Sequence, residues 1–126
     1  MKARYLDRWF QLYSKGREKS LFKGKKYITS KTVQTIPWII ILVLWEMVDS
    51  MMVKQKDYEQ LFELYTTNQE QIICHMQQEH PYLYELELPC AKPVNAKLYI
   101  VDKGTYSIIM LADEYESQPE NETEQI

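Results

Sequence analysis

Cys74, His75, His80 and Cys90 bring two thiols and two imidazoles into one short stretch of a 126-residue chain. A cysteine with a histidine base could be a nucleophile, and two of each could hold zinc. The spacing argues against both. In a strand His75 shares a side with Ile73 and Gln77, while Cys74 points the opposite way with Ile72. The four residues lack a CxxC or HxxxH frame, and His80 stands beside Pro81 at a break. We therefore expect free thiols, no metal, no cofactor and no catalytic residue. Glu85 and Glu87 lie on one face of a strand; without a pocket to separate their pKa values they form a hydrated acidic surface, not an acid/base pair.

A second chemistry is charge. Through Lys31 there are ten Lys or Arg and two acids, a net of +8, whereas the remainder carries five basic and sixteen acidic residues, −11. Arg4, Arg8, Arg17, Lys23, Lys25, Lys26 and Lys31 could meet phosphates, with Tyr5, Trp9, Phe10 and Tyr13 interleaved as stacking groups. The spacing matches no zinc finger, RNP pair or GXXG loop, and there is no GxxxxGK[ST]. An acidic domain also repels phosphate; the same acidity suits the chain's own basic segment lying on it, or a basic surface of another protein.

These residues must be positioned by one domain, because 126 residues with 45% apolar content suffice for a single core. Its centre is Ile36-Pro-Trp-Ile-Ile-Ile-Leu-Val-Leu-Trp-Glu-Met-Val48. Length and the spacing of Glu46, Asp49 and Ser50 predict a helix over 37–52, despite its three isoleucines. The run is too short for a bilayer, so no membrane span is expected. Ile41, Leu44, Trp45, Val48 and Met52 form the side that packs on a sheet. Ile39 and Val43 share the polar side and need a separate cover: the N-terminal helix of the same chain first, then a second subunit or a foreign partner.

Residues 2–14 read as a short amphipathic helix stopped by Gly16, followed by a basic linker. Candidate strands are Tyr27–Thr29, Tyr58–Thr66, Gln71–Gln78, Tyr82–Leu88, Ala96–Val101 and Tyr106–Leu111. The bend at Thr67–Gln69 and the Asp102-Lys-Gly-Thr105 turn make two hairpins. The expected fold is α+β: an antiparallel sheet of four to five strands packed against one central helix, with an additional short N-terminal amphipathic helix. The expected organisation is an arm and basic linker over 1–22, a domain over 23–115, and an acidic disordered tail over 116–126. No hydrophobic signal segment follows Met1, so a cytoplasmic location is expected.

Several pieces occur together in a recognisable order: Tyr27-Ile-Thr-Ser, Val33-Gln-Thr-Ile-Pro37, Leu44-Trp45 with Asp49, and Leu61-Phe-Glu-Leu64. Pro93-Val-Asn-Ala-Lys97, Val101-Asp-Lys-Gly104 and Met110-Leu-Ala-Asp-Glu-Tyr115 follow. Over about residues 26–115 the chain resembles the Firmicute family catalogued as domain of unknown function 960, found in staphylococcal phages, plasmids and mobile cassettes. The resemblance implies an accessory protein of a mobile element and brings no enzyme activity or catalytic residue. Ile39 and Ile41 stand where that family commonly has polar residues, which points to an extra contact.

The expectation is thus a non-enzymatic accessory protein that binds another protein, with a nucleic-acid-processing factor as the candidate partner. Tyr5, Trp9, Phe10, Tyr13, Ile39 and Val43 are the interface candidates, with Glu85 and Glu87 as a second surface. Direct nucleic-acid binding through residues 2–31 is the alternative. A small hydrolase or nuclease is the remaining one, and no convergent Glu, His or Tyr set supports it. The sequence leaves monomer against homodimer open.

Overall fold

A computed structural model describes residues 21–117 and the short strand Thr123–Gln125. The chain enters at Phe22, a fully buried ring with a left-handed backbone (φ 62°). Its N–H donates to Asp102 Oδ2 at 2.8 Å, while Gly104 N–H donates to Oδ1 of the same carboxylate at 2.7 Å. One side chain therefore ties the incoming chain to a distant turn. Strand β1, Lys25–Thr29, starts three residues on. Gly24 is required there, since a Cβ would lie 2.3 Å from the Thr105 carbonyl oxygen.

Thr29 ends β1 and caps a six-residue helix α1, Ser30–Thr35, by accepting the Thr32 N–H at 3.2 Å. Ile36 breaks out of helical geometry, and α2, Trp38–Asp49, begins after Pro37. The central helix is shorter than the expected span because Ser50 caps it, its N–H bonded back to the Glu46 and Val48 carbonyls. Met52 consequently lies outside the helix and is exposed. The side expected to face the sheet is otherwise buried, joined by Ile40 and Met47. Four of these side chains, Ile40, Ile41, Leu44 and Val48, are completely excluded from solvent. Each contributes about 1.5–3 kcal/mol by burial.

After α2 come β2 (Glu59–Thr67), β3 (Glu70–Gln77), β4 (Tyr82–Pro89), β5 (Ala96–Asp102) and β6 (Tyr106–Leu111). Helix α3, Ala112–Ser117, follows, and β7 is Thr123–Gln125. Six strands from β1 to β6 form one sheet in the order β4-β3-β2-β5-β6-β1, and β7 extends it beyond β1. The sheet is thus larger than four to five strands, and it is mixed: β1 pairs parallel to β6 while the other pairs are antiparallel. The parallel pair follows from the crossover. Chain that leaves β1 through two helices re-enters at β2 running the same way, and the β5–β6 hairpin fills the gap between them.

The β2–β3 hairpin turns at Asn68 and Gln69, both with positive φ (49° and 65°), the two-residue geometry that matches strand twist. Helix α2 lies on one sheet face, over Phe62, Leu64, Ile73, Leu98, Ile100, Ile109 and Ile28. On the other face Tyr115 of α3 packs with Tyr27, Tyr99, Val101, Ile108 and Met110. Glu114 anchors α3 by accepting the Thr29 hydroxyl at 2.8 Å and the Leu111 N–H at 3.0 Å.

Substitution separates the two sides of α2. Leu44→Ala should cost roughly 2–5 kcal/mol in urea denaturation, whereas exposed Ile39→Ser should stay within about 0.5 kcal/mol of the parent. Equal losses at the two positions would contradict this packing.

Candidate functional site

The outward side of α2 keeps large apolar groups in solvent: Trp38 is 52% exposed, Ile39 59% and Leu42 44%, with Val33 of α1 nearby in sequence at 41%. Val43, expected to share this surface with Ile39, is half-buried and packs against the core. The reason is rotational. The inward set 40, 41, 44, 47 and 48 centres the buried arc nearer Val43 than the polar residues alone indicate. Tyr5, Trp9, Phe10 and Tyr13 lie outside the described residues, as do Arg4, Arg8 and Arg17.

Of the remaining basic candidates, Lys23 and Lys25 are exposed. Lys26 is half-buried with its Nζ 5.2 Å from the Trp45 ring centroid, and Lys31 Nζ lies 3.7 Å from Asp113 Oδ2. Two of the four lysines are thus engaged within the domain, and the structure does not gather the set around one feature.

The sheet face away from α2 is built by strand register. Leu83 stands opposite Met76, Met76 opposite Leu61, and Leu61 opposite Tyr99. Four strands thus contribute one apolar row that crosses them. Leu83 is 69% exposed, and the other three are half-buried. The next row reads Glu85, Cys74, Glu63, Lys97, and beyond it Glu87 stands opposite Ile72 and Tyr65. Tyr65 donates its hydroxyl to Glu85 Oε2 at 2.6 Å, and Tyr115 donates to Glu59. Those bonds favour the protonated phenols: both tyrosines are pushed up to about 12, Tyr65 chiefly by its Glu85 hydrogen bond and Tyr115 chiefly by burial. Burial, then Glu63 and Glu85, raises the Cys74 thiol, so it is a poor nucleophile. Two clefts of about 210 and 450 Å³ open here and share Leu61, Gln77 and Gln78.

A buried polar chain fixes this end of the sheet. Gln60 uses its amide N–H groups on the Asp57 carbonyl (2.9 Å) and on Gln77 Oε1 (2.6 Å). Its Oε1 is therefore an acceptor, and His75 Nε2, 2.7 Å away, must carry the proton. Nδ1 is then a bare acceptor, buried without a partner. The ring stacks on Phe62 at 4.3 Å. Asp57 was not singled out by sequence, yet its carboxylate accepts the N–H groups of Gln78, Glu79 and His80 and the His80 Nδ1–H at 2.8 Å. Asp57, Glu79 and His80 bring ligand-type atoms within 4.8 Å of one another, but four N–H donors already occupy the Asp57 oxygens. The group acts as a brace that holds the 78–80 turn against the start of β2. Cys74 and His75 point to opposite sheet faces.

Burial, with a smaller contribution from Lys56, pushes His75 from 6.5 down to about 3. Its folded value lies below the unfolded one, so the stability it supports is complete above pH 6.5 and is lost as pH falls toward 3. For Asp57, burial raises the carboxyl but the His80 and backbone hydrogen bonds outweigh it, and the net value is lowered below 3.8. A second loss follows as pH falls below that value. Urea denaturation should show stability declining between pH 6 and 4 with a slope up to about 1.4 kcal/mol per pH unit. His75→Leu should be less stable at pH 7 and flatter over the same range; an unchanged slope would refute the buried neutral ring.

Among the described residues no helix is long and apolar enough to cross a membrane. No curated protein matches the chain. A crystal structure described as the protein of unknown function from Enterococcus faecalis is similar, with a TM-score of 0.65 and 19% identity over 72% of this chain and 90% of that one. At that identity the likeness shows the fold alone. The family described as "Staphylococcal protein of unknown function (DUF960)" matches residues 25–114, which hold β1 through β6 and the crossover helices. The chain belongs to that family.

Proposed function

We propose that this protein is a non-enzymatic, cytoplasmic accessory protein of a phage or mobile element, and that it acts by binding another protein through the outward side of α2. The observation that carries this reading is the exposure of Trp38, Ile39 and Leu42 together on a helix whose opposite side forms the core. Large apolar groups that sit side by side in water favour an interface, and tryptophan is the residue type most enriched among binding hot spots. A nucleic-acid-processing factor of the host or the element suits the acidity of the sheet domain. Electrostatic complementarity with its basic surface would speed encounter.

A photo-crosslinking residue placed at Leu42 should trap a defined host protein in lysate. Combining it with Trp38→Ser and Ile39→Ser should reduce that adduct at least tenfold while the thermal midpoint is unchanged. An adduct unaffected by both substitutions would refute α2 as the contact.

A further inference from the structure

The open half of the sheet carries an independent signal, on the face away from α2. Helix α3 and Tyr115 cover the β5–β6–β1 half of that face, and among the described residues no element packs on the β4–β3–β2 half. Across that half runs the row Leu83, Met76, Leu61, which ends at Tyr99 where Tyr115 packs against it. Carboxylates flank it on both sides. Glu63 and Glu85 occupy the next row toward the β2–β3 turn, and Glu59 and Glu79 stand toward the Asp57 brace. All four are exposed. Lys97, opposite Glu63, is the one basic residue in these rows.

We infer that this face is a docking groove for an amphipathic helix of another protein, with an apolar stripe bordered by lysine or arginine on both sides. The geometry fits such a helix better than an extended strand. Neighbouring strands are about 4.8 Å apart, close to the 5.4 Å or so of one helical turn. A helix lying along the row therefore places one apolar side chain over each of β4, β3 and β2 and ends against Tyr99. The open part of the row spans roughly 10 Å from β4 to β2, which is six or seven helical residues at about 1.5 Å each. Basic side chains on the two borders of the stripe then reach the two lines of carboxylates. An extended peptide alternates its side chains up and down and cannot supply two basic borders around one apolar line. Charge sets the choice of occupant: an acidic helix meets four like charges, whereas a basic one exchanges solvent for charge-assisted hydrogen bonds. The clefts shared at Leu61 give the stripe depth. Tyr65 and Tyr115, bonded to Glu85 and Glu59, hold one carboxylate on each border in place.

The probe is a labelled 18-residue Leu/Lys peptide with a single leucine stripe, titrated with the full chain by fluorescence anisotropy at 50 mM salt. A Leu/Glu peptide of the same pattern serves as control. The Leu/Lys peptide should bind, and the control should bind at least tenfold more weakly. Leu83→Ser should weaken the Leu/Lys peptide at least fivefold, and Glu63→Gln with Glu85→Gln at least tenfold. These residues are exposed, so the folded spectrum should persist. Glu46→Gln with Asp49→Asn removes the same charge from the α2 side and should change affinity less than twofold. Trp38→Ser with Ile39→Ser should also leave peptide binding intact, so failure of the α2 reading and failure of this one are separable. Equal loss from the α2-side charge pair would reduce the effect to net charge and overturn the groove. A dimer formed without peptide and dispersed by Leu83→Ser would assign the face to a second copy and overturn it equally.

Discussion

The fold depends on one constraint: a twelve-residue helix composed almost wholly of apolar side chains must be covered before it costs more than it contributes. A single sheet face wide enough for it requires strands on both sides of its axis. The chain meets that need by crossing from β1 to β2 and filling the space between them with β5 and β6. Parallel pairing of β1 with β6 is the signature of this solution. Asp102 and Gly24 show how tightly it is enforced, since a carboxylate and a missing Cβ both fix the first strand against the last hairpin.

Covering one face in this way leaves the other with a shortfall. Helix α3 is six residues long and reaches three strands through Tyr115, so the half of the sheet nearest β4 has no lid among the described residues. The buried chain from His75 through Gln60 and Gln77 to Asp57 braces that end from the α2 side of the sheet. It holds the 78–80 turn from within, by hydrogen bonds and not by packing, and so keeps the open face shaped without filling it. The unpartnered His75 Nδ1 is the cost of routing a polar chain through an apolar layer.

Much of this was legible in the residues. Parity groups Leu83 with Glu85 and Glu87, Ile72 with Cys74 and Met76, and Leu61 with Tyr65, and each group does share a face; that all three share the face away from α2 needed the strand register. The central helix followed from its length and the spacing of Glu46, Asp49 and Ser50. The parallel β1–β6 pair was not legible, because no local pattern reports a partner some eighty residues away. Helix α1 hid in a polar stretch whose main signal is Thr29 as cap. The orientation of Val43 needed the whole inward set, since polar residues mark a side of a helix only coarsely. Asp57 looked like an ordinary loop acid, and its three backbone donors lie more than twenty residues on.

Strand β4 borders the sheet, with a neighbouring strand on one side only among the described residues. Its outer row of amide and carbonyl groups is a template on which a further chain could crystallise into a growing ribbon. Glu85, Glu87 and the terminal Pro89 guard it: antiparallel self-pairing would press like charges together, and proline offers no donor. The same carboxylates therefore have a second office as gatekeepers of colloidal behaviour. Replacing both by apolar residues would leave this border open to edge-to-edge pairing.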